Sequence, residues 1–205
     1  MGYDILVIGG DLTTYGTVPE AVMAIHELRS FAKPLVVVAG NMDPPELDDL
    51  FMALGVSING RGCIVGDVGF FGVSAVPISP LRTPNEIPES KIKELAEAGW
   101  SQVTKAKRTV FVPHAPPYNT LVDRIGSGKH VGSTSVRQFI EERQPDLVIC
   151  GHIHEARGVD SIEKSRIVNC GPAGRGYYAL INIGTEVSIE AKQDEGLTTG
   201  SEIAT

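Results

Sequence analysis

Four apolar runs in this chain break off in the same way: ILVIGGD ending at Asp11, LVVVAGN ending at Asn41, VFVPH ending at His114, and LVICGHIH ending at His152 and His154. Short, continuous apolar runs bounded by glycine and polar residues read as buried strands, and each of these stops on a side chain with chemistry to offer. In α/β sheets, ligands collect at the carboxyl ends of the strands, so four separate segments are expected to deliver Asp, Asn, His and His to one edge. The glycine before Asp11, Asn41 and His152 lets the backbone turn sharply off its strand and aim the next side chain away from the core.

The rest of the pattern says what kind of sheet this is. The first half alternates Ile5 to Ile8, a helical stretch from Thr17 to Phe31, Leu35 to Ala39, and a second helix from Pro45 to Leu54. That order favours parallel strands covered by helices. Thr17 and Glu20 have capping-box spacing, while Asp43 precedes Pro44-Pro45, a start signal for the second helix. The middle turns β-rich, with a hairpin expected for Gly62 to Val65 and Val68 to Val76 across Gly66-Asp67, and a second for Tyr177 to Ile183 and Val187 to Ala191 across Gly184-Thr185. Between them come helices near Glu89 to Lys107 and Ser133 to Arg143, and strands at Thr109 to Val112 and Leu147 to Cys150. These elements exceed one sheet of ordinary width, so the expected α/β architecture is two mixed sheets packed face to face with helices outside. One domain over residues 1–192 and a polar tail over 193–205 are expected.

Composition removes several classes of function. A chain of 205 residues with a formal net charge of −7 has no basic patch for nucleic acid or anionic membrane, so an anionic substrate needs a local positive charge. No apolar run approaches the roughly 18 residues of a membrane span, and the first residues lack a signal-peptide pattern, which makes the cytoplasm the expected compartment. The three cysteines, Cys63, Cys150 and Cys170, have no C-x-x-C spacing and read as buried thiols. The segment Gly126-Ser-Gly-Lys129-His130 does not match a P-loop, because Lys129 is followed by His rather than Ser or Thr.

A carboxylate, an amide oxygen and neutral imidazoles form a donor set suited to Mn, Fe or Zn. Alternation along an extended segment places His152 and His154 on one side, and a bridging carboxylate such as Asp11 lets them serve two adjacent ions. Two metals about 3.5–4 Å apart are a standard device for phosphoester hydrolysis. Gly10-Asp11, Gly40-Asn41-x-Asp43, His114 and Gly151-His-x-His154, in that order, resemble the motifs of the calcineurin-like metallophosphoesterases. So do His114-Ala-Pro-Pro-Tyr118 and the stretch from Pro145 to Glu155.

That resemblance implies a four-layer α/β/β/α sandwich and a dinuclear centre that hydrolyses small phosphate mono- or diesters with a metal-activated hydroxide. It implies Asp11 as the bridging ligand, Asn41, His114 and His152 around one metal, and His154 at the other. Asn41 would also stabilise developing charge, and Asp43 is a candidate catalytic residue or a helix cap. Lys129, His130, Arg157 and Arg175 are candidates for substrate contact. The sequence departs from the family pattern in three places. It contains no Asp-x-His, which implies one incomplete metal site and a chain that starts at the fold's second strand. The family's G-N-H-[DE] reads Gly40-Asn41-Met42-Asp43, so the histidine that contacts phosphate or protonates the leaving group is missing. The acidic residue often found three positions after the bridging Asp is Thr14 here. The alternative function is a degenerate family member acting as a binding module or scaffold, and a homo-oligomer is possible on either reading.

Overall fold

The computed structural model describes residues 3–31 and 34–194. Strand β1 (Leu6–Ile8) leads to helix α1 (Val18–Phe31), and β2 (Leu35–Val37) returns parallel to β1 before helix α2 (Glu46–Ala53). Glu20 reaches back to accept the Thr17 N–H at 2.6 Å, half of the expected capping box. Then follow β3 (Gly62–Val65), β4 (Val68–Val73), the short parallel pair β5 (Val76–Pro77) and β6 (Glu86–Ile87), helix α3 (Glu89–Ser101), and β7 (Arg108–Pro113). Helix α4 (Thr134–Arg143), β8 (Leu147–Cys150), β9 (Gly158–Ile162), β10 (Ser165–Asn169), β11 (Tyr177–Ile183) and β12 (Val187–Gln193) complete the order. Of the tail expected from Gln193, that residue closes β12, and residues 195–205 lie outside the described residues.

One sheet has six strands in the order β3-β4-β7-β8-β10-β9; β4, β7, β8 and β10 are parallel, and β3 and β9 are antiparallel edges. Side-chain alternation assigns its two faces. Phe71, Val73, Phe111, Val148, Cys150 and Ile167 point one way, into a core completed by Ile92 and Ala96 of α3 and Val136, Phe139 and Ile140 of α4. The rings of Phe71 and Phe111 stack there with centroids 4.8 Å apart. Phe70, Val110, Val112, Leu147, Ile149 and Val168 point the other way, onto Val36 of β2, Val38 just past it, and Ile181, Ile183 and Ile189 of β11–β12. On the far side of β1–β2, Leu35, Val37 and Ala39 meet Ala21 and Ile25 of α1 and Leu47 and Phe51 of α2. Three stacked cores separate four layers, the α/β/β/α sandwich.

Four expectations are corrected. The second β layer consists of two two-stranded ladders, β1–β2 and β11–β12, which do not hydrogen-bond to each other among the described residues. Helix α3 stops at Ser101 instead of reaching Lys107, because Val103 turns inward to full burial against Gly62 and Gly69. The β9–β10 hairpin is absent from the sequence reading; its turn is Glu163-Lys164, with Glu163 at φ +50° and no glycine or asparagine to announce it. Asp43 does not cap α2, whose N-cap is Pro45 with no side-chain bond.

Candidate metal centre

Strands β1, β2, β7 and β8 end side by side, and the residues just past each end converge. After β1, Gly10 at φ +104° and Asp11 at φ +51° turn the chain back; after β8, His152 at φ +65° does the same. Asp11 and His152 hold left-handed backbone that non-glycine residues seldom adopt, a strain retained where surrounding contacts dictate it. Gly40 allows the two loops to meet, since a Cβ there would fall on the Asp11 carboxylate and amide.

Asn41 sits at the centre, buried. His152 Nδ1 lies 2.8 Å and His114 Nε2 lies 3.1 Å from its Oδ1, and the same His114 nitrogen is 3.4 Å from Asp11 Oδ2. His114 Nδ1–H donates to the Gly9 carbonyl at 2.7 Å, which fixes the ring and turns Nε2 to the centre. Met42 N–H donates to Asp11 Oδ1 at 2.9 Å. Asp43 is fully buried; both its oxygens accept bonds, from Leu12 and Thr13 N–H, Thr13 Oγ1–H and Gly40 N–H, at 2.8–3.1 Å. It ties the Asp11 loop to the Asn41 loop and has no oxygen left over for substrate, so its candidate role in catalysis gives way to positioning.

The electrostatics follow from this crowding. Burial acts to raise the Asp11 carboxyl, but the hydrogen bond and charge of His114 and the N–H of Met42 hold it below its ordinary value. Burial acts to lower His114, but Asp11 and the Gly9 carbonyl leave it above an ordinary imidazole. His152, half-buried and close to His114, is pushed down to about 4 by desolvation and by that neighbour, and is neutral at physiological pH, the form that donates a lone pair.

The donor set fits a divalent ion. Ligands about 2.0–2.2 Å from a common ion lie roughly 2.8–3.6 Å from one another, and the contacts of 2.8, 3.1 and 3.4 Å among His152, Asn41, His114 and Asp11 fall in that range. Among the described residues, Asp11, His114 and His152 do not by themselves form a metal-binding group; the amide oxygen of Asn41, in contact with both imidazoles, is what joins them. His154 stands apart. The segment is not extended beyond Cys150: His154 opens a 3-10 turn (His154–Ala156), is exposed, and hydrogen-bonds to none of the four. Strand alternation therefore does not pair it with His152.

A cavity of about 610 Å³ opens over Asn41, His152 and His154; one wall is the 76–83 loop and the other the 125–132 loop, including Lys129 and His130. Arg157 and Arg175 do not line it. The Arg157 guanidinium lies 4.4 Å over the Tyr177 ring and donates to the Lys192 carbonyl, while Arg175 is exposed on a separate 3-10 turn (Ala173–Arg175). Their expected substrate contact is set aside for this reason.

Three residues absent from the sequence reading shape the site. Asn169, buried at the end of β10, donates to the Ile153 and Val122 carbonyls at 2.8 and 3.3 Å and so holds the His152 loop. Asp123 organises the 119–132 loop. Glu86 accepts from the N–H and hydroxyl groups of Ser79 and Thr83 at 2.8–2.9 Å and ties down the opposite wall. Asn169 had a signal, since RIVN repeats the pattern of an apolar run ending on a polar side chain.

The calcineurin-like phosphoesterase family model matches residues 1–156, from β1 through the His154 turn. The chain belongs to the calcineurin-like phosphoesterases. Its relatives include the uncharacterized protein MJ1162 of Methanocaldococcus jannaschii, 34% identical over 85% of this chain and 79% of that one. The UPF0046 protein K07C11.7 of Caenorhabditis elegans is 27% identical over 84% of this chain and 64% of its own length. The crystal structure of TT1561 of Thermus thermophilus shares the fold at a TM-score of 0.69 and 17% identity, covering 93% of this chain and 86% of that one. A putative 5'-nucleotidase from Staphylococcus aureus has a TM-score of 0.51 at 15% identity, over 89% of this chain and 42% of its own. As a calcineurin-like phosphoesterase, the chain places its Asp, Asn and His motifs at adjoining strand ends. No helix among the described residues is long and apolar enough to cross a membrane.

Proposed function

We propose that this chain is a metal-dependent phosphoesterase that hydrolyses small phosphate mono- or diesters, with Mn, Fe or Zn as its ion. The observation that carries the reading is the four-donor cluster of Asp11, Asn41, His114 and His152 beneath a cavity open to a small substrate. A divalent ion bound there supplies Lewis acidity toward a phosphoryl oxygen and makes water a stronger nucleophile. The chain's own residues do the rest. His114 is held ready by Gly9, Asn41 is fixed between two imidazoles, and Lys129 is the one Lys or Arg among the cavity-lining residues, opposing the overall charge of −7 where a phosphate enters. A second ion would have Asp11 and the exposed His154 to hold it, a set short of the usual ligand count.

The second reading, a binding module or scaffold, is favoured by Met42 and by that short ligand set. Metal titration separates the two. The expected result is one tightly bound Mn²⁺ or Zn²⁺ per chain with measurable hydrolysis of bis(p-nitrophenyl) phosphate, and loss of both in His152→Ala. Unchanged metal content in His152→Ala, measured by elemental analysis after dialysis, sinks the site assignment; tight binding without any hydrolysis favours the scaffold.

A further inference from the structure

His130, on the 125–132 wall of the cavity, pairs with Asp123 behind it, and neither takes part in the four-donor cluster. Asp123 is fully buried, and the N–H groups of Asn119, Thr120 and Gly132 donate to its carboxylate at 3.0, 2.9 and 2.9 Å. The His130 Nδ1 approaches the same carboxylate at 2.6 Å. Burial acts to raise Asp123, but His130 and these N–H groups hold it below the usual carboxylate range, so it is an anion that fixes the ring. With Nδ1 directed at buried Asp123, the Nε2 edge of this partly exposed ring is turned outward, and no described residue hydrogen-bonds it. The Tyr118 ring stands edge-on to the imidazole, centroids 6.1 Å apart. His130 and the cluster residues Asn41 and His152 line one cavity. The charged and titratable groups around it are Asp123, Arg124 and Lys129 on its own loop, Tyr118 before it, and His152, His154 and Glu155 across the cavity.

The need for such a group follows from the residue beside Asn41 and from the cavity walls. Met42 stands where the family pattern has a histidine, and a thioether has no proton to give. The walls, including Ile78, Leu81, Ile125, Val131 and Ile153, are largely apolar, an environment in which an alkoxide leaving group is costly. We propose that His130, held by Asp123, is the general acid that protonates the leaving oxygen, and that the substrates are phosphate esters of unactivated alcohols or phenols. The proposal rests on the phosphoesterase reading. In the step, the oxygen of water bonds to phosphorus and releases a proton to solvent, while the P–O bond to the leaving group breaks with its electron pair going to oxygen. The Nε2 proton of the imidazolium passes to that oxygen, and His130, still bound to Asp123 through Nδ1–H, is reprotonated by solvent.

The test compares phenyl phosphate with p-nitrophenyl phosphate, whose leaving group departs without a proton, for the Mn²⁺-loaded full chain and for His130→Gln. Gln keeps an N–H toward Asp123 but has no proton to transfer. The variant is expected to lose about 10²–10³-fold in kcat/KM on the phenyl ester and less than about fivefold on the nitrophenyl ester, and to lose the basic limb of the pH profile. Equal losses on both esters with an unchanged pH profile reduce His130 to a positioning residue and overturn the proposal. The wild type alone gives a second readout should the variant not fold: a wild-type rate that falls steeply from nitrophenyl to phenyl ester also overturns it. Failure of the wild type to hydrolyse either ester, with no hydrolysis of bis(p-nitrophenyl) phosphate, overturns the phosphoesterase reading itself; hydrolysis of the diester without either monoester overturns the His130 proposal alone.

Discussion

Asn41 shows how few atoms this site turns on. Its single side-chain oxygen is shared by His114 and His152, and its place is set by Asp43 binding both the Gly40 N–H and the Asp11 loop. Gly40 lies at the point of closest approach. Gly40→Ala puts a methyl group on the Asp11 carboxylate, and the cheapest relief is for the Asp11 loop to move away. The expected outcome is a folded protein with Mn²⁺ affinity reduced about 10–100-fold, the cost typical of disturbing the groups that orient ligands. Isothermal titration checks it, and wild-type affinity in the alanine variant removes Gly40 from the account. The ligand types were legible because each follows an apolar run. Asp123 and Asn169 were less so, since the first lies in a loop without periodicity and the second on a strand whose turn has no glycine.

At the scale of elements, one carboxylate ties the start of α3 to the start of α4. Glu89, the first residue of α3, accepts from Ser133 Oγ–H, Thr134 N–H and Oγ1–H, and Ser135 N–H at 2.6–3.1 Å, so it satisfies the free N–H groups at the start of α4. Burial acts to raise Glu89, but these four donors hold it below its ordinary value. Glu89→Ala leaves them unmatched and is expected to cost about 1–3 kcal/mol, read as a lower urea midpoint, with faster amide exchange at Thr134 and Ser135. A variant with the wild-type midpoint contradicts it. The sequence placed α1, α2, α4 and the first hairpin within a few residues, because capping residues, glycines and periodicity agree there. It overran α3, where the helical pattern continues past the point at which packing of Val103 ends the helix. It missed the fourth strand of the parallel set, β10, because β9 and β10 meet across an unmarked turn.

At the scale of the whole molecule, one of the polar contacts that join its layers is sensitive to pH. Ser74 follows β4 in the six-stranded sheet; its hydroxyl accepts the Ala39 N–H from beyond β2 at 2.8 Å and donates to Asp48 of α2 at 2.6 Å, linking the two β layers and a helix. Burial, with the negative charges of Asp43 and Asp49, outweighs the Ser74 bond and raises Asp48 from 3.8 to about 6. Between those values the folded chain holds a proton that the unfolded chain has released. This contribution to stability is therefore complete below about pH 4, declines as pH rises, and is gone above about pH 6. At neutral pH the folded chain bears a partly desolvated charge that costs up to about 2–3 kcal/mol. Asp48→Asn keeps an acceptor for the Ser74 hydroxyl and has no charge to desolvate. It is expected to match the wild type near pH 3.5 and to be more stable by up to about 2–3 kcal/mol at pH 7.5. Urea midpoints across that range decide it: curves that stay parallel for the two proteins mean that Asp48 titrates as an ordinary carboxylate and that the bridge between layers costs nothing at neutral pH.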